Sequence, residues 1–397
     1  MVGYDRCSRT KQEFWSELPF LLLWMIKDRL DFIDNVQMTA VCRNWYFASA
    51  SYTKKSIQSA ASQRLPWIMQ EYTNNSSLRE FICISRRKKF TIDLPEFHGA
   101  STLSSKQGWL LLWRKNFSYS ATAESNNNSN NSIDNNSLPY SMLLLNPFTK
   151  ATIKLPDVEK DGLATHAGSF STTSEGYPHC VVLRCGHFGQ GHGGLLILRI
   201  AYVGNDKTGW SKISFAGETV QYFDSFNGLL VHGQYVYCFD VWGMTIIYNM
   251  ETHAWKEIPP RPENAEIRLC YMMEYEGDIV RVDRKRGHGF SLSMFRYNAI
   301  ASLWEKFNNN DDDDDDDVML KDISFLFLQP YRYHCFCAKA TKEDGPLKKK
   351  AYVLKETFAT QDVPGRFNVL VHDLVDGSNQ ILLPLSNYAS ANWVDIG

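Results

Sequence analysis

The chain has 397 residues, 44% of them hydrophobic and 13% aromatic, which is ample for a large core and leaves room for two domains or one domain with an appendage. A formal net charge of −2 argues against a general nucleic-acid binder, and no apolar run reaches the roughly eighteen residues a spanning helix needs. The nine cysteines are odd in number and scattered, which reads as reduced thiols in cytosol or nucleus rather than a disulfide framework.

Residues 1–13 are polar and read as a flexible N-terminus. From Leu18 to Trp45 the character changes. Pro19 opens a helix, because proline at the first helical position lacks only a donor that would go unpaired anyway. Leu22, Leu23, Ile26 and Leu30 then recur at three- and four-residue spacing and line one face. A second apolar set, Ile33, Val36, Met38, Val41 and Trp45, follows Asp31, with Asp34 placed to cap or charge the next helix. Fewer than forty residues cannot bury all of this alone, so part of it is expected to face a partner. A core helical hairpin is the plainer alternative. A secretory signal is the other, but Glu13, Glu17 and Pro19 interrupt the basic flank and the apolar run.

The pattern L-P-x-x-L-L-x-x-I-x-x-R-L, then an Asp, then V-C-R-x-W, resembles an F-box, the helical module that docks on the Skp-type adaptor of cullin–RING ubiquitin ligases. Leu18, Pro19, Leu22, Leu23, Ile26, Arg29, Leu30, Asp34, Val36, Met38, Val41, Cys42, Arg43 and Trp45 match it. The resemblance implies an F-box over residues 14–50. It also implies an adaptor-binding set of Leu18, Pro19, Leu22, Leu23, Ile26, Leu30, Val36, Met38, Val41, Cys42 and Trp45. Lys27, Asp31 and Asn35 depart from the pattern; they leave the apolar seam intact and are the positions where adaptor affinity is expected to be tuned or compromised.

Residues 51–64 have little apolar face and read as a linker helix. From Leu65 onward one unit recurs: an apolar strand, a turn with Asn, Asp or Gly, and a second strand often closing near proline. It starts at Phe81, Leu143, Leu198, Thr245, Ser293 and Leu370. Self-similarity at this spacing, with short strands and no helical period, predicts a mainly β fold, a kelch-like β-propeller of about six blades over residues 65–397. A β-sandwich or a pair of barrels is the alternative. Asn/Ser-rich and Asn/Asp-rich tracts near 120–138 and 308–317 cannot offset their ordering entropy by burial and are expected to be disordered inserts.

Catalytic patterns are weighed and set aside. Gly189 to Gly194 spells G-x-G-x-x-G but lies between strand-like runs, without the following helix that a dinucleotide site needs. His187 with His192, and Cys335 with Cys337, lack the second short-spaced pair of a zinc site. Asn205 to Trp210 has the wrong spacing for an aspartate box and occurs once. Arg86 to Lys89 reads as a solvated hairpin tip or a nuclear address. A second basic group, Arg281, Arg284, Lys285 and Arg286, is placed on a loop and, with Trp242, forms the candidate client-binding set.

The combination of LPW after the F-box, GWLLL, LLLNPFT with IKLP, VYCFD followed by W-K-x-I-P, and a terminal NWVD resembles the KIB-type β-propeller of plant F-box proteins. That resemblance implies a non-catalytic, substrate-recognition subunit of a Skp–cullin–F-box ligase, cytoplasmic or nuclear. Its partners would be a Skp-type adaptor, through it a cullin, and a client protein; no cofactor, metal, nucleic acid or membrane is expected. The alternatives are a non-ligase scaffold or decoy and an enzymatic, glycosidase-like propeller.

Overall fold

A computed structural model divides the chain into two compact units, Met1–Arg64 and Leu65–Asp395. It describes residues 15–27, 30, 34, 37–38, 40–51, 67–71, 76–84, 88–115, 140–158, 164–174, 176–186, 196–204, 209–215, 226–240, 243–259, 267–275, 277–285, 292–306, 325–329, 334–338, 350–357, 366–373, 378–385 and 390–394. The flexible N-terminus, most of the linker helix, both low-complexity tracts and the glycine-rich loop at Gly189 lie outside these residues.

In the first unit, Pro19 starts the helix Phe20–Lys27, and its carbonyl accepts from the Leu22 and Leu23 amides at 3.0 and 3.1 Å. A second helix, Arg43–Ala50, begins at Cys42, whose carbonyl accepts from the Tyr46 amide at 2.9 Å. Leu23, Met38 and Ala48 form the buried core, with Leu18, Ile26, Leu30 and Trp45 packed on it. Side-chain donors bind the two segments together. Trp24 Nε1 donates to the Ala48 carbonyl (2.8 Å), Asn44 Nδ2 to the Leu18 carbonyl (2.9 Å) and Trp45 Nε1 to the Trp15 carbonyl (2.7 Å).

The second unit is a six-bladed β-propeller. Blade 1 combines β1 (Trp67–Glu71), β2 (Leu78–Cys83) and β3 (Lys88–Asp93) with β25 (Ser390–Val394), in the order β25-β1-β2-β3. Blade 2 is β4 (Ala100–Lys106), β5 (Trp109–Lys115), β6 (Tyr140–Leu145) and β7 (Thr152–Lys154). Blade 3 is β8 (Ala164–Thr172), β9 (Pro178–Gly186), β10 (Leu196–Tyr202) and β11 (Ser211–Phe215). Blade 4 is β12 (Phe226–His232), β13 (Tyr235–Asp240), β14 (Thr245–Asn249) and β15 (Trp255–Ile258). Blade 5 is β16 (Ile267–Tyr275), β17 (Asp278–Lys285), β18 (Leu292–Asn298) and β19 (Leu303–Lys306). Each of these three blades is an antiparallel meander of consecutive strands, as is blade 2.

Blade 6 is less regular. It holds β20 (Phe325–Gln329), β21 (His334–Ala338), β22 (Lys350–Thr357), β23 (Arg366–Asp373) and β24 (Asn379–Leu385), in the order β21-β20-β22-β23-β24, with β20 parallel to β22. A parallel pairing of Met272 with His334 joins it to blade 5. The leading strands close a ring: β25 meets β4, β4 meets β8, β8 meets β12, β12 meets β16, and β20 meets β25.

Apolar clusters fill the spaces between successive blades, which is how stacked sheets bury both faces. Val182 and Leu198 of blade 3 meet Leu229 and Ile246 of blade 4, and Tyr237 and Phe239 of blade 4 meet Cys270 and Met272 of blade 5. The six recurring sequence units turn out to be the two outer strands of the six blades. Three of their turns share one mechanism. Asn146, Asn249 and Asn298 each accept two backbone amides on their Oδ1, from residues two and three ahead. Four residues after each Asn, Lys150, His253 and Ser302 adopt φ of 57°, 57° and 56°. The asparagine side chain closes the turn and holds the left-handed residue in place.

Candidate functional site

On the helical unit, the residues expected to bind an adaptor separate into two groups. Leu23 and Met38 are buried inside the unit, and Leu18, Ile26, Leu30 and Trp45 pack against them. Leu22 and Val41 are instead 44% and 57% exposed, Pro19 is exposed, and Cys42 is half-buried. Val36, Asp31 and Asn35 lie outside the described residues. Leu21, Met25, Phe20, Tyr46 and Phe47 are also exposed. These five fall off the spaced apolar sets, most of whose described members, Leu23, Ile26, Leu30, Met38 and Trp45, face the unit's own core.

Such exposure costs free energy, since apolar area left in water forfeits about 25 cal/mol per Å². The described residues of this unit leave eight large apolar side chains exposed, Trp15, Leu22, Val41 and the five off the spaced sets, which is a large share of apolar surface for so short a segment.

On the propeller, the expected client-binding set is corrected at Arg281. Arg281 lies inside strand β17, not on a loop, and is fully buried. Its Nε and Nη2 donate to the two Asp283 carboxylate oxygens at 2.7 and 2.6 Å, and its Nη1 donates to the Gly243 carbonyl at 3.1 Å. The guanidinium also lies 5.6 Å from the Phe295 ring centre and 5.8 Å from that of Trp304. Gly243 has φ +90°, and a Cβ there would stand 2.5 Å from Arg281 Nη2, so glycine leaves the space this guanidinium fills. This is an internal tie between blades 4 and 5. Arg284 is half-buried in the same strand. Trp242, Arg286 and the Lys285 side chain lie outside the described residues.

A second charged cluster sits where the leading strands end. Lys106 ends β4, His232 ends β12, and Glu274 is next to last in β16, so three blades contribute. Glu274 Oε2 is 3.2 Å from Lys106 Nζ and 3.1 Å from His232 Nδ1. The hydrogen bond from His232, helped by the Lys106 charge and opposed by partial burial, lowers the Glu274 carboxyl to about 2. The cluster is a clasp across the ring of leading strands.

Burial pushes the Cys180 and Cys238 thiols up to about 12 and Cys270 well above its ordinary value, so none of the three is a nucleophile near neutral pH. Among the described residues no three His, Cys, Asp or Glu side chains converge as a metal site. Among them, too, no helix is long and apolar enough to cross a membrane.

Residues 81–368 match the model of the KIB1-4 beta-propeller. The chain belongs to the KIB1-4 β-propeller family. An Arabidopsis thaliana F-box protein is 23% identical over 272 residues, 68% of this chain and 64% of its own length, so the chain spans just under two thirds of that relative. An Arabidopsis thaliana F-box/kelch-repeat protein is 23% identical over 74% of each chain. Another Arabidopsis thaliana F-box protein is 25% identical over 73% of this chain and 54% of its own. These family members are named for an F-box, and in this chain a helical unit of matching motif precedes the family's propeller.

Proposed function

We propose that this KIB1-4 family chain is the substrate-recognition subunit of a Skp–cullin–F-box ubiquitin ligase. The helical unit docks on a Skp-type adaptor and through it a cullin, and the propeller holds a client protein. The role is positional. A client held on the propeller is brought within reach of a ubiquitin-loaded enzyme at raised effective concentration, and the chain makes no bond itself. The complex works in cytosol or nucleus.

The observation that supports this reading most is the exposed apolar ridge of the helical unit, Leu22, Met25 and Val41 with their neighbours. Interface energy concentrates in a few side chains that become fully desolvated, and such residues stand here already free of the unit's own core. The first test is co-purification of the full chain with a Skp-type adaptor and cullin. Leu22→Ala with Val41→Ala is expected to abolish recovery of both while the propeller's thermal unfolding stays unchanged. Undiminished recovery overturns the docking assignment, and recovery of adaptor without cullin overturns the ligase assignment in favour of a scaffold. Proximity labelling with and without proteasome inhibition then identifies clients, expected as proteins that accumulate on inhibition and are lost in the double variant's ubiquitinated pool.

A further inference from the structure

Lys27 stands where the F-box pattern has an apolar residue, and on sequence alone it reads as a defect in the docking surface. Its geometry assigns it another role. Lys27 is the last residue of the helix Phe20–Lys27, and its Nζ donates to the Ser49 carbonyl at 2.9 Å and to Ser49 Oγ at 2.8 Å. Ser49 is only 7% exposed and lies in the last turn of the helix Arg43–Ala50.

The final carbonyls of a helix have no partner within it and carry the negative end of its dipole. Here each of three is taken up. The Phe47 carbonyl accepts from the Ser51 amide at 2.8 Å, Ala48 from Trp24 Nε1 at 2.8 Å and Ser51 Oγ at 3.2 Å, and Ser49 from Lys27. Trp24 and Lys27 are three residues apart on the first helix, so one helix face caps the end of the other. Among the described residues of this unit Leu23, Met38 and Ala48 are the fully buried core, with Leu18, Ile26, Leu30 and Trp45 packed against it, and the Trp24 and Lys27 bonds add directional ties at the helix end that packing alone does not supply.

We propose that Lys27 is a positioning residue of the docking ridge. Its ammonium clamps the C-terminal end of the second helix onto the end of the first. That clamp sets how Leu22 and Met25 on one segment stand relative to Val41 and Tyr46 on the other. The clamp rests on the geometry alone; its effect on adaptor affinity rests on the docking reading above.

The test uses the full chain with Lys27→Met, which keeps the stem and removes the charge, Lys27→Arg, which restores donors, and Ser49→Ala. Two quantities are read: affinity for a purified Skp-type adaptor by calorimetry, and amide hydrogen exchange over residues 43–50. Lys27→Met is expected to weaken adaptor binding about tenfold, the scale of one lost charged hydrogen bond, and to speed exchange in the second helix. Lys27→Arg recovers most of both, and Ser49→Ala adds less in the Lys27→Met background than alone.

Unchanged exchange and affinity in Lys27→Met overturn the proposal. Weaker binding with unchanged exchange and strictly additive Ser49→Ala also overturns it, because Lys27 would then touch the adaptor directly. If the wild-type chain binds no adaptor, the docking reading fails while the exchange comparison still decides the clamp.

Discussion

The two units of this chain spend their apolar side chains in opposite ways. The propeller places them between blades, where Val182, Leu198, Leu229 and Ile246 or Phe239, Cys270 and Met272 are almost wholly removed from water. Among its described residues the helical unit fully buries the apolar side chains of Leu23, Met38 and Ala48 and holds Leu21, Leu22, Met25, Val41, Tyr46 and Phe47 outside. In the helical unit, side-chain hydrogen bonds from Trp24, Lys27, Asn44 and Trp45 add to the packing of Leu18, Ile26, Leu30 and Trp45 on that core. The helical unit thus combines a packed apolar cluster with apolar surface left in water, which forfeits part of the stability that burial would give.

The sharpest test of that contrast lies inside the propeller. Arg281→Leu strands the buried Asp283 carboxylate and is expected to destabilise the second unit by about 3–5 kcal/mol, as removal of one member of a buried pair does. Urea denaturation read by tryptophan fluorescence checks it, and a loss under about 1 kcal/mol would break the view of this pair as an internal tie. Leu23→Ala should cost about 2–4 kcal/mol. Because Leu23 lies at the centre of the helical unit's apolar cluster, hydrogen exchange is expected to show residues 15–51 open while the propeller's unfolding midpoint stays put.

Glu274 adds a pH dependence. Its carboxyl is lowered from 4.5 to about 2 in the fold, so its stabilisation is fully present above pH 4.5 and is lost as pH falls towards 2. With the side chain 38% exposed, solvent screening reduces this to about 1–2 kcal/mol. Glu274→Gln should flatten the wild-type loss of stability between pH 4.5 and 2, and an unchanged profile would remove the clasp from the account. The smallest effect is expected at the turns. Asn249→Ala or Asn298→Ala removes two amide acceptors at a solvent-facing site and should cost about 1 kcal/mol each in the same denaturation assay.

Much of the propeller was legible because its outer strands repeat. The alternation ending in LLLN, IIYN or FRYN announces an apolar strand followed by an asparagine that closes the turn on its own backbone. The leading strands carry less local signal, since they are defined by neighbours one blade away. Arg281 was misread because V-R-V-D-R-K-R looks like a basic loop. The clue lay in period two: Arg281 and Asp283 share one face of a strand whose other face is Val280 and Val282, and an acid at that spacing is a partner within reach. The contact that Lys27 makes is hidden in the sequence for a similar reason. Its partner, Ser49, is twenty-two residues away, at a helix end that no spacing rule connects to it.

The order β25-β1-β2-β3 in blade 1 bears on how the chain can be made. Trp67 pairs with Val394, so one of the earliest strands synthesised waits for nearly the last. During translation, blades 2 to 5 can assemble from local hairpins as they emerge, whereas blade 1 keeps an open edge until its final strand arrives. Until β25 arrives, one backbone edge of β1 stays unpaired, the kind of edge on which another strand can add.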